Sequence, residues 1–80
     1  MATQQLTGRI GQVIAHVRTQ IGNRTLVAGA RLPSVRAQAK QLQVSVSTVV
    51  EAYERLVAEG VILAKAGSGY YVLGSTVPLR

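Results

Sequence analysis

Apolar residues recur with a helical period in three segments of the chain. In the first segment, one apolar stripe is followed by Gly22-Asn23, which predicts the end of the helix. This stripe consists of Leu6, Ile10, Val13, Ile14, Val17 and Ile21. The second segment starts after Ser34, a favoured N-cap residue, and runs to about Leu42. The third segment ends at Gly60 and has one apolar face, formed by Val49, Ala52, Tyr53 and Leu56. The pattern therefore predicts three helices.

A short turn, Gln43-Val44-Ser45, separates the second and third predicted helices. Ser45 fits this turn best as the N-cap of the third helix, whereas Thr48 with Glu51 forms an alternative capping-box pattern. Two helices joined by such a turn form a helix-turn-helix, whose second helix can lie in the major groove of DNA. Small hydroxyl side chains at the start of this helix would let the backbone come close to bases and phosphates.

The segment after the third helix predicts a β-hairpin. Residues 61–65 and 70–73 read as strands, and the turn between them contains Gly67 and Gly69. We expect Tyr53 to lie in the core, and one of Tyr70 and Tyr71 to point inward. Residues 24–32 read as a loop, and 74–80 as a linker or tail. The predicted fold is mainly α with a small β-hairpin, a winged helix-turn-helix domain over residues 1–73.

Charge indicates what such a domain would bind. Nine Lys and Arg against three Glu give the 80 residues a net charge of +6, and a small domain with this excess usually meets a polyanion. A solvated basic surface is the alternative interpretation. The absence of cysteine excludes disulfides and thiolate metal sites. With no 18-residue apolar run and no signal-peptide pattern, we expect neither membrane insertion nor export, and hence a cytoplasmic protein.

The run LPSVRAQAKQLQVSVSTVVEAYERLVAEGVILAKAGSGYYV resembles the DNA-binding domain of GntR-type bacterial repressors. The resemblance extends over residues 10–72, and AYERLVAEG and GSGYYV are most similar to the MocR-type branch. It implies sequence-specific binding to double-stranded DNA by the N-terminal reading head of a transcription regulator, which is a homodimer at full length. In the MocR-type branch, an aminotransferase-like C-terminal domain holds pyridoxal phosphate. The 80 residues have no room for that domain, so no cofactor is expected in this chain.

The resemblance also implies roles for particular residues. Arg36, in the Leu-Pro-Ser-x-Arg motif, matches the arginine that reaches DNA from the second helix. Three positions match small polar residues at the start of the recognition helix that contact phosphates or bases: Ser45, Ser47 and Thr48. The wing tip that approaches the minor groove corresponds to Gly67, Ser68 and Gly69, with Lys65 as its basic residue.

Three residues depart from the family pattern. Val46 stands where the family commonly has a base-contacting arginine, Gln38 replaces a common leucine, and Gln43 replaces a common glycine. If the turn needs a positive φ at Gln43, glutamine costs on the order of 1 kcal/mol there. Val46 and Val50 lie off the apolar face of the third helix, where they would touch thymine methyl groups. Alternatively, Val46 folds back onto the second helix and Val50 has no role.

Other functions have less support. Arg9, Arg18, Arg24 and Arg31 are expected to contribute a general electrostatic field or to be solvated. The uncharged helix start favours, as the alternative function, a winged-helix module that binds protein. Single-strand readers use aromatic platforms, and three tyrosines with no Phe or Trp argue against RNA. We expect no catalytic or metal-binding residues, since the glutamates look like a solvated helix face and there is one histidine.

Overall fold

Residues 2–73 are described by a computed structural model, with side chains from residue 8 onward. Within this range the chain forms three helices and a hairpin: α1 (Ala2–Gly22), α2 (Val35–Leu42), α3 (Val46–Ala58), β1 (Ile62–Lys65) and β2 (Gly69–Val72). Helix α1 is interrupted at Gly8, where φ is 47° and ψ is −135°. The predicted winged helix-turn-helix is confirmed. The Leu6 side chain and the predicted tail over 74–80 lie outside the described residues.

The caps of α2 and α3 set the geometry of the helix-turn-helix. Ser34 Oγ accepts a 3.1 Å hydrogen bond from the Ala37 N–H, and Ser45 Oγ accepts one of 3.2 Å from the Thr48 N–H. Ser45 is therefore the N-cap of α3, and the Thr48 alternative is wrong. Gln43 ends α2 in the left-handed region, with φ 58° and ψ 47°. The positive φ considered for this glutamine is confirmed.

One core lies between the three helices and the hairpin. Its members come from every element: Val13, Val17, Leu32, Ala39, Val49, Ala52, Tyr53, Leu56, Ile62 and Val72. The expectation that Tyr53 belongs to the core is confirmed. The predicted inward tyrosine of the wing is Tyr70, whose ring meets that of Tyr53 edge to face at 4.8 Å between centroids. Because α3 touches both α1 and the hairpin, the core fixes the direction of α3 and of the wing together.

A third short strand segment pairs with the free edge of β2. The Leu32 N–H donates to the Tyr70 carbonyl at 2.8 Å, the Val72 N–H donates to the Ala30 carbonyl at 2.9 Å, and Arg31 lies opposite Tyr71. The prediction of a plain loop over 24–32 is therefore wrong for its last residues. A single bridged residue is too short to give a two-residue alternation, so periodicity could not detect it.

Candidate nucleic-acid interface

The start of α3 projects from the fold. Ser45, Val46 and Ser47 are exposed, with 43% of Val46 accessible, whereas Val49 is fully buried. Val50 and Thr48 are half-buried. Val46 is therefore not part of the core, and this exposure argues against the alternative that it folds back onto α2. The first turn of α3 offers a small, uncharged surface.

The hydroxyl groups of this turn bind one another. Ser45 Oγ lies 2.8 Å from Thr48 Oγ1 and 3.2 Å from Ser47 Oγ, in addition to capping the helix. Ser45 and Thr48 are thus largely committed to the cap. Ser47 is exposed and keeps hydrogen-bonding capacity for a ligand, because a hydroxyl has one donor and two acceptor sites. Of the three predicted hydroxyls, Ser47 is the best placed to contact a base.

The outer face of α3 changes character along its length. Val46, Ser47 and Val50 line an open surface that continues to Glu51 and Glu54. Arg55 Nη2 lies 3.6 Å from Glu51 Oε2, an exposed ion pair one helical turn apart. A polyanion is therefore attracted to the neutral first turn, whose free N–H groups carry partial positive charge, more than to the later acidic turns.

Arg36 lies in the first turn of α2. Its side chain is exposed, and within residues 8–73 no carboxylate forms an ion pair with it. Helix α2 packs on α3, and the turn through Gln43 joins the two. Arg36 is thus a cation that remains available for a phosphate on the helix that precedes α3.

The wing places its predicted residues in one tight turn. The Ser68 N–H donates to the Lys65 carbonyl at 2.9 Å, and Gly67 has a φ of 77° that favours glycine. Ser68 Oγ lies 3.1 Å from Tyr71 Oη, and the Lys65 ammonium lies 5.3 Å from the centre of the Tyr71 ring. Tyr71 therefore contacts both Lys65 and Ser68. Lys65, Gly67 and Ser68 are exposed, and Lys65 gives the turn a positive charge.

Sequence reasoning missed the position of Arg31. Its guanidinium lies beside Gly69: a Cβ added to Gly69 would be 3.2 Å from Arg31 Nε. Arg31 was expected to add only to the general field, but the pairing of residues 29–32 with β2 brings it to the wing. The one available signal was its place between the apolar residues Ala30 and Leu32, as on a strand.

Arg18 also differs from expectation. It forms an ion pair with Glu59, which caps the far end of α3, and half of each side chain is exposed. Its charge is therefore largely compensated locally.

Within the described part of the chain, no group of His, Asp or Glu is arranged to hold a metal ion. None of the helices described could serve as a membrane span.

The chain is similar to known proteins both in sequence and in fold. The model of the family described as bacterial regulatory proteins, gntR family, matches residues 9–72. The chain is 38% identical over 65 residues to an uncharacterized HTH-type transcriptional regulator, YdfD of Bacillus subtilis, covering 81% of this chain and 14% of that protein. It is 39% identical over 67 residues to the probable rhizopine catabolism regulatory protein MocR of Rhizobium meliloti, covering 84% of this chain and 13% of MocR.

Among solved structures, a GntR family transcriptional regulator from Listeria monocytogenes superimposes with a TM-score of 0.79 at 32% identity. The match covers 82% of this chain and 58% of the Listeria chain. This chain thus spans a small part of the two regulators from Bacillus and Rhizobium, and somewhat more than half of the Listeria chain.

Proposed function

The chain belongs to the gntR family of bacterial regulatory proteins, whose winged helix-turn-helix DNA-binding domain it forms, and we propose that it reads double-stranded DNA with the start of α3. The exposed, uncharged first turn of α3 is the observation that carries this proposal. Its capped N-terminus suits close approach to the major groove, where recognition helices present their first residues to base edges.

Within this proposal the contacts divide into two kinds. Ser47, Val46 and Val50 read base edges, and the two valines contact thymine methyl groups. Arg36 and the α3 start, including Ser45 and Thr48, anchor phosphates and set the orientation of the helix. The exposure of Val46, Ser47 and Arg36 supports this division.

The wing forms the second contact region. We propose that Lys65 and the turn of Gly67, Ser68 and Gly69 approach the minor groove beside the site read by α3. The positive charge of Lys65 and the small size of the turn residues support this. Because both regions are attached to the same core, they would meet the duplex as one rigid surface.

For the whole protein we propose an N-terminal reading head, residues 1–73, joined by 74–80 to a C-terminal domain. That protein would act as a dimeric repressor in the cytoplasm. Similarity to MocR supports the MocR-type branch, in which the C-terminal domain and not this chain would bind pyridoxal phosphate. A dimer would read two half-sites and bind far more tightly than a single domain.

The test is chemical-shift mapping of the ¹⁵N-labelled 80-residue chain with a duplex that the chain has selected from a random-sequence pool. Shifts should cluster at 45–50, at Arg36 and at 65–69, and affinity should fall linearly on a log–log plot against salt. Shifts confined to α1, or salt-independent binding, would contradict the proposal.

A second candidate is a protein-binding module, favoured by the exposed Val46 and by its apolar continuation to Val50. Such a module would bind its protein partner with an affinity that depends little on salt. Its amide chemical shifts would not change on addition of duplex DNA. The same titration therefore separates the two functions.

A further inference from the structure

We infer that a cleft between Arg31 and the wing turn binds a backbone phosphate of DNA, with Arg31 as its principal ligand. The cleft is lined by Arg31, Lys65, Gly67, Ser68 and Gly69, together with neighbouring wing residues. This inference rests on the proposed function and adds a contact from the strand segment before α2, outside the helix-turn-helix and outside the wing itself.

The sheet register puts Arg31 on the same outer face of the sheet as the wing residue Lys65. In an antiparallel pair, residues directly opposite one another share a face. Arg31 and Leu63 both lie opposite Tyr71, and Lys65 lies opposite Gly69. The other face carries the pair Ile62 and Val72, which is buried in the core. Arg31 and Lys65 therefore project from the same, solvent-facing side.

Gly69 makes room for the guanidinium. Its φ of 124° favours glycine, and an added Cβ would lie 3.2 Å from Arg31 Nε and 3.4 Å from one Nη. The guanidinium thus lies against bare backbone on one side and faces the cleft on the other. A side chain held in this way loses less conformational freedom when it binds an anion, and its planar fork suits phosphate oxygens.

The local charge favours an anion. All three acidic side chains, Glu51, Glu54 and Glu59, are on α3 or its C-cap. Glu51 pairs with Arg55, and Glu59 pairs with Arg18. Within residues 8–73, neither Arg31 nor Lys65 has a carboxylate at salt-bridge distance. The Ser68 hydroxyl at the edge of the cleft is a further donor. Two cations and a hydroxyl around a small concave surface, with no carboxylate paired to either cation, match a phosphodiester.

The experiment measures duplex affinity as a function of salt for the 80-residue chain and its variants, using the duplex selected from a random pool. Arg31→Gln should make the log–log slope shallower by about 0.9 and weaken binding on the order of three- to tenfold at 0.1 M salt. Arg18→Gln is the charge-matched control, because Arg18 already pairs with Glu59. Its slope should stay at the wild-type value.

Two further variants test the geometry. Arg31→Lys keeps the charge without the fork and should recover part of the affinity. Gly69→Ala should weaken binding more strongly in the wild-type background, where it also displaces the guanidinium, than in Arg31→Gln, where only its effect on the wing turn itself remains. A circular-dichroism melt of each variant verifies that it is folded. If Gly69→Ala does not fold, the inference is tested by the Arg31 variants and by the DNA substitutions described next.

Single methylphosphonate substitutions locate the contact. At one phosphate near the wing, this uncharged substitution should weaken DNA binding by the wild type but not by Arg31→Gln. If the wild-type chain binds duplex DNA and Arg31→Gln has the same slope as Arg18→Gln, this inference is overturned while the proposed function stands. If the wild type shows no salt-dependent binding, the proposed function itself fails.

Discussion

The hydroxyl of Tyr53 donates a 2.9 Å hydrogen bond to the backbone carbonyl of Pro33. This bond joins the middle of α3 to the residue just before the cap of α2, across 20 positions of sequence. The Gln38 amide donates to the same hydroxyl at 3.2 Å, and the Tyr53 ring packs against Tyr70 of the wing. The Tyr53 side chain therefore links α2, α3 and the wing, which together carry the proposed interface.

Replacing Gln38 by leucine should stabilise the domain. Gln38 is fully buried, and its Oε1 has no hydrogen-bond partner among residues 8–73. An unsatisfied buried polar atom costs about 1–3 kcal/mol, while the Tyr53 hydroxyl would keep its bond to Pro33. We expect Gln38→Leu to raise the free energy of unfolding by about 1 kcal/mol, measured by urea denaturation.

The control for this variant is Gln41→Leu, on the exposed side of the same helix. It should change stability by no more than about 0.5 kcal/mol. A less stable Gln38→Leu protein would mean that the bond from Gln38 to Tyr53 outweighs the unsatisfied oxygen.

Stability should fall at alkaline pH because of Tyr53. Burial raises the pKa of its hydroxyl from 10.0 to about 12, and the neutral phenol is therefore favoured in the folded state. Its contribution is complete below pH 10 and is lost as the pH rises toward about 12. Urea denaturation between pH 8 and about 12 should show a steeper loss for the wild type than for Tyr53→Phe. Parallel curves would assign the loss to other groups.

Features that depend on near neighbours could be predicted from the sequence. The apolar spacing gave the helices, and local hydrogen bonds explain why Ser34 and Ser45 are caps. Gln43 leaves α2 in the left-handed conformation that is common at helix C-termini. In each case the deciding interaction lies within about four residues, which is the range of helix and turn rules.

Features that depend on distant contacts could not be predicted in this way. Arg18 meets Glu59 across 41 positions of sequence, and Arg31 meets the wing through a single bridged residue. Gln38 looked like a departure from an apolar position, and its partner Tyr53 could be identified only once α2 and α3 were packed. A pattern of hydrophobic positions gives the faces of elements but not which polar atoms meet between them.

Glycine at position 43 should stabilise the turn. Gln43 has a φ of 58°, a conformation that costs a non-glycine residue on the order of 1 kcal/mol. Gln43→Gly should therefore raise the free energy of unfolding by about 0.5–1 kcal/mol, after allowance for the greater freedom of glycine in the unfolded chain. Gln41→Gly, inside α2, should lower it by about 1 kcal/mol. Thermal melts of the two variants should move in opposite directions.

Alanine at position 36 should weaken DNA binding through one lost phosphate contact. Arg36 is exposed and has no carboxylate partner within the described residues. We expect the log–log salt slope of Arg36→Ala to be shallower by about 0.9, with no loss of folding stability beyond about 0.5 kcal/mol. Arg18→Gln again serves as the control of equal charge. A wild-type slope for Arg36→Ala would remove this residue from the contact set.

Alanine at positions 46 and 50 should remove recognition of thymine methyl groups. The two valines lie on the outer face of α3, where the uncharged surface leaves apolar contact and the Ser47 hydroxyl as means of reading bases. Each valine should contribute about fivefold in affinity for a thymine-containing duplex, since a buried methyl pair is worth on the order of 1 kcal/mol. Replacing the contacted thymine by uracil should cost the wild type the same factor and cost the matching alanine variant nothing further.

The control for the valine variants is Val27→Ala. Val27 is 55% exposed and lies beside Ile21 and Gly60, at the far end of α3 from Val46. Its replacement should leave both affinities unchanged. If Val46→Ala lost equal affinity for thymine and uracil duplexes, the valine would act through helix packing and not through the methyl group. Specificity would then rest on Ser47 and on the shape of the duplex. Ser45 is the other exposed polar side chain at the start of α3, and its hydroxyl is bound in the helix cap.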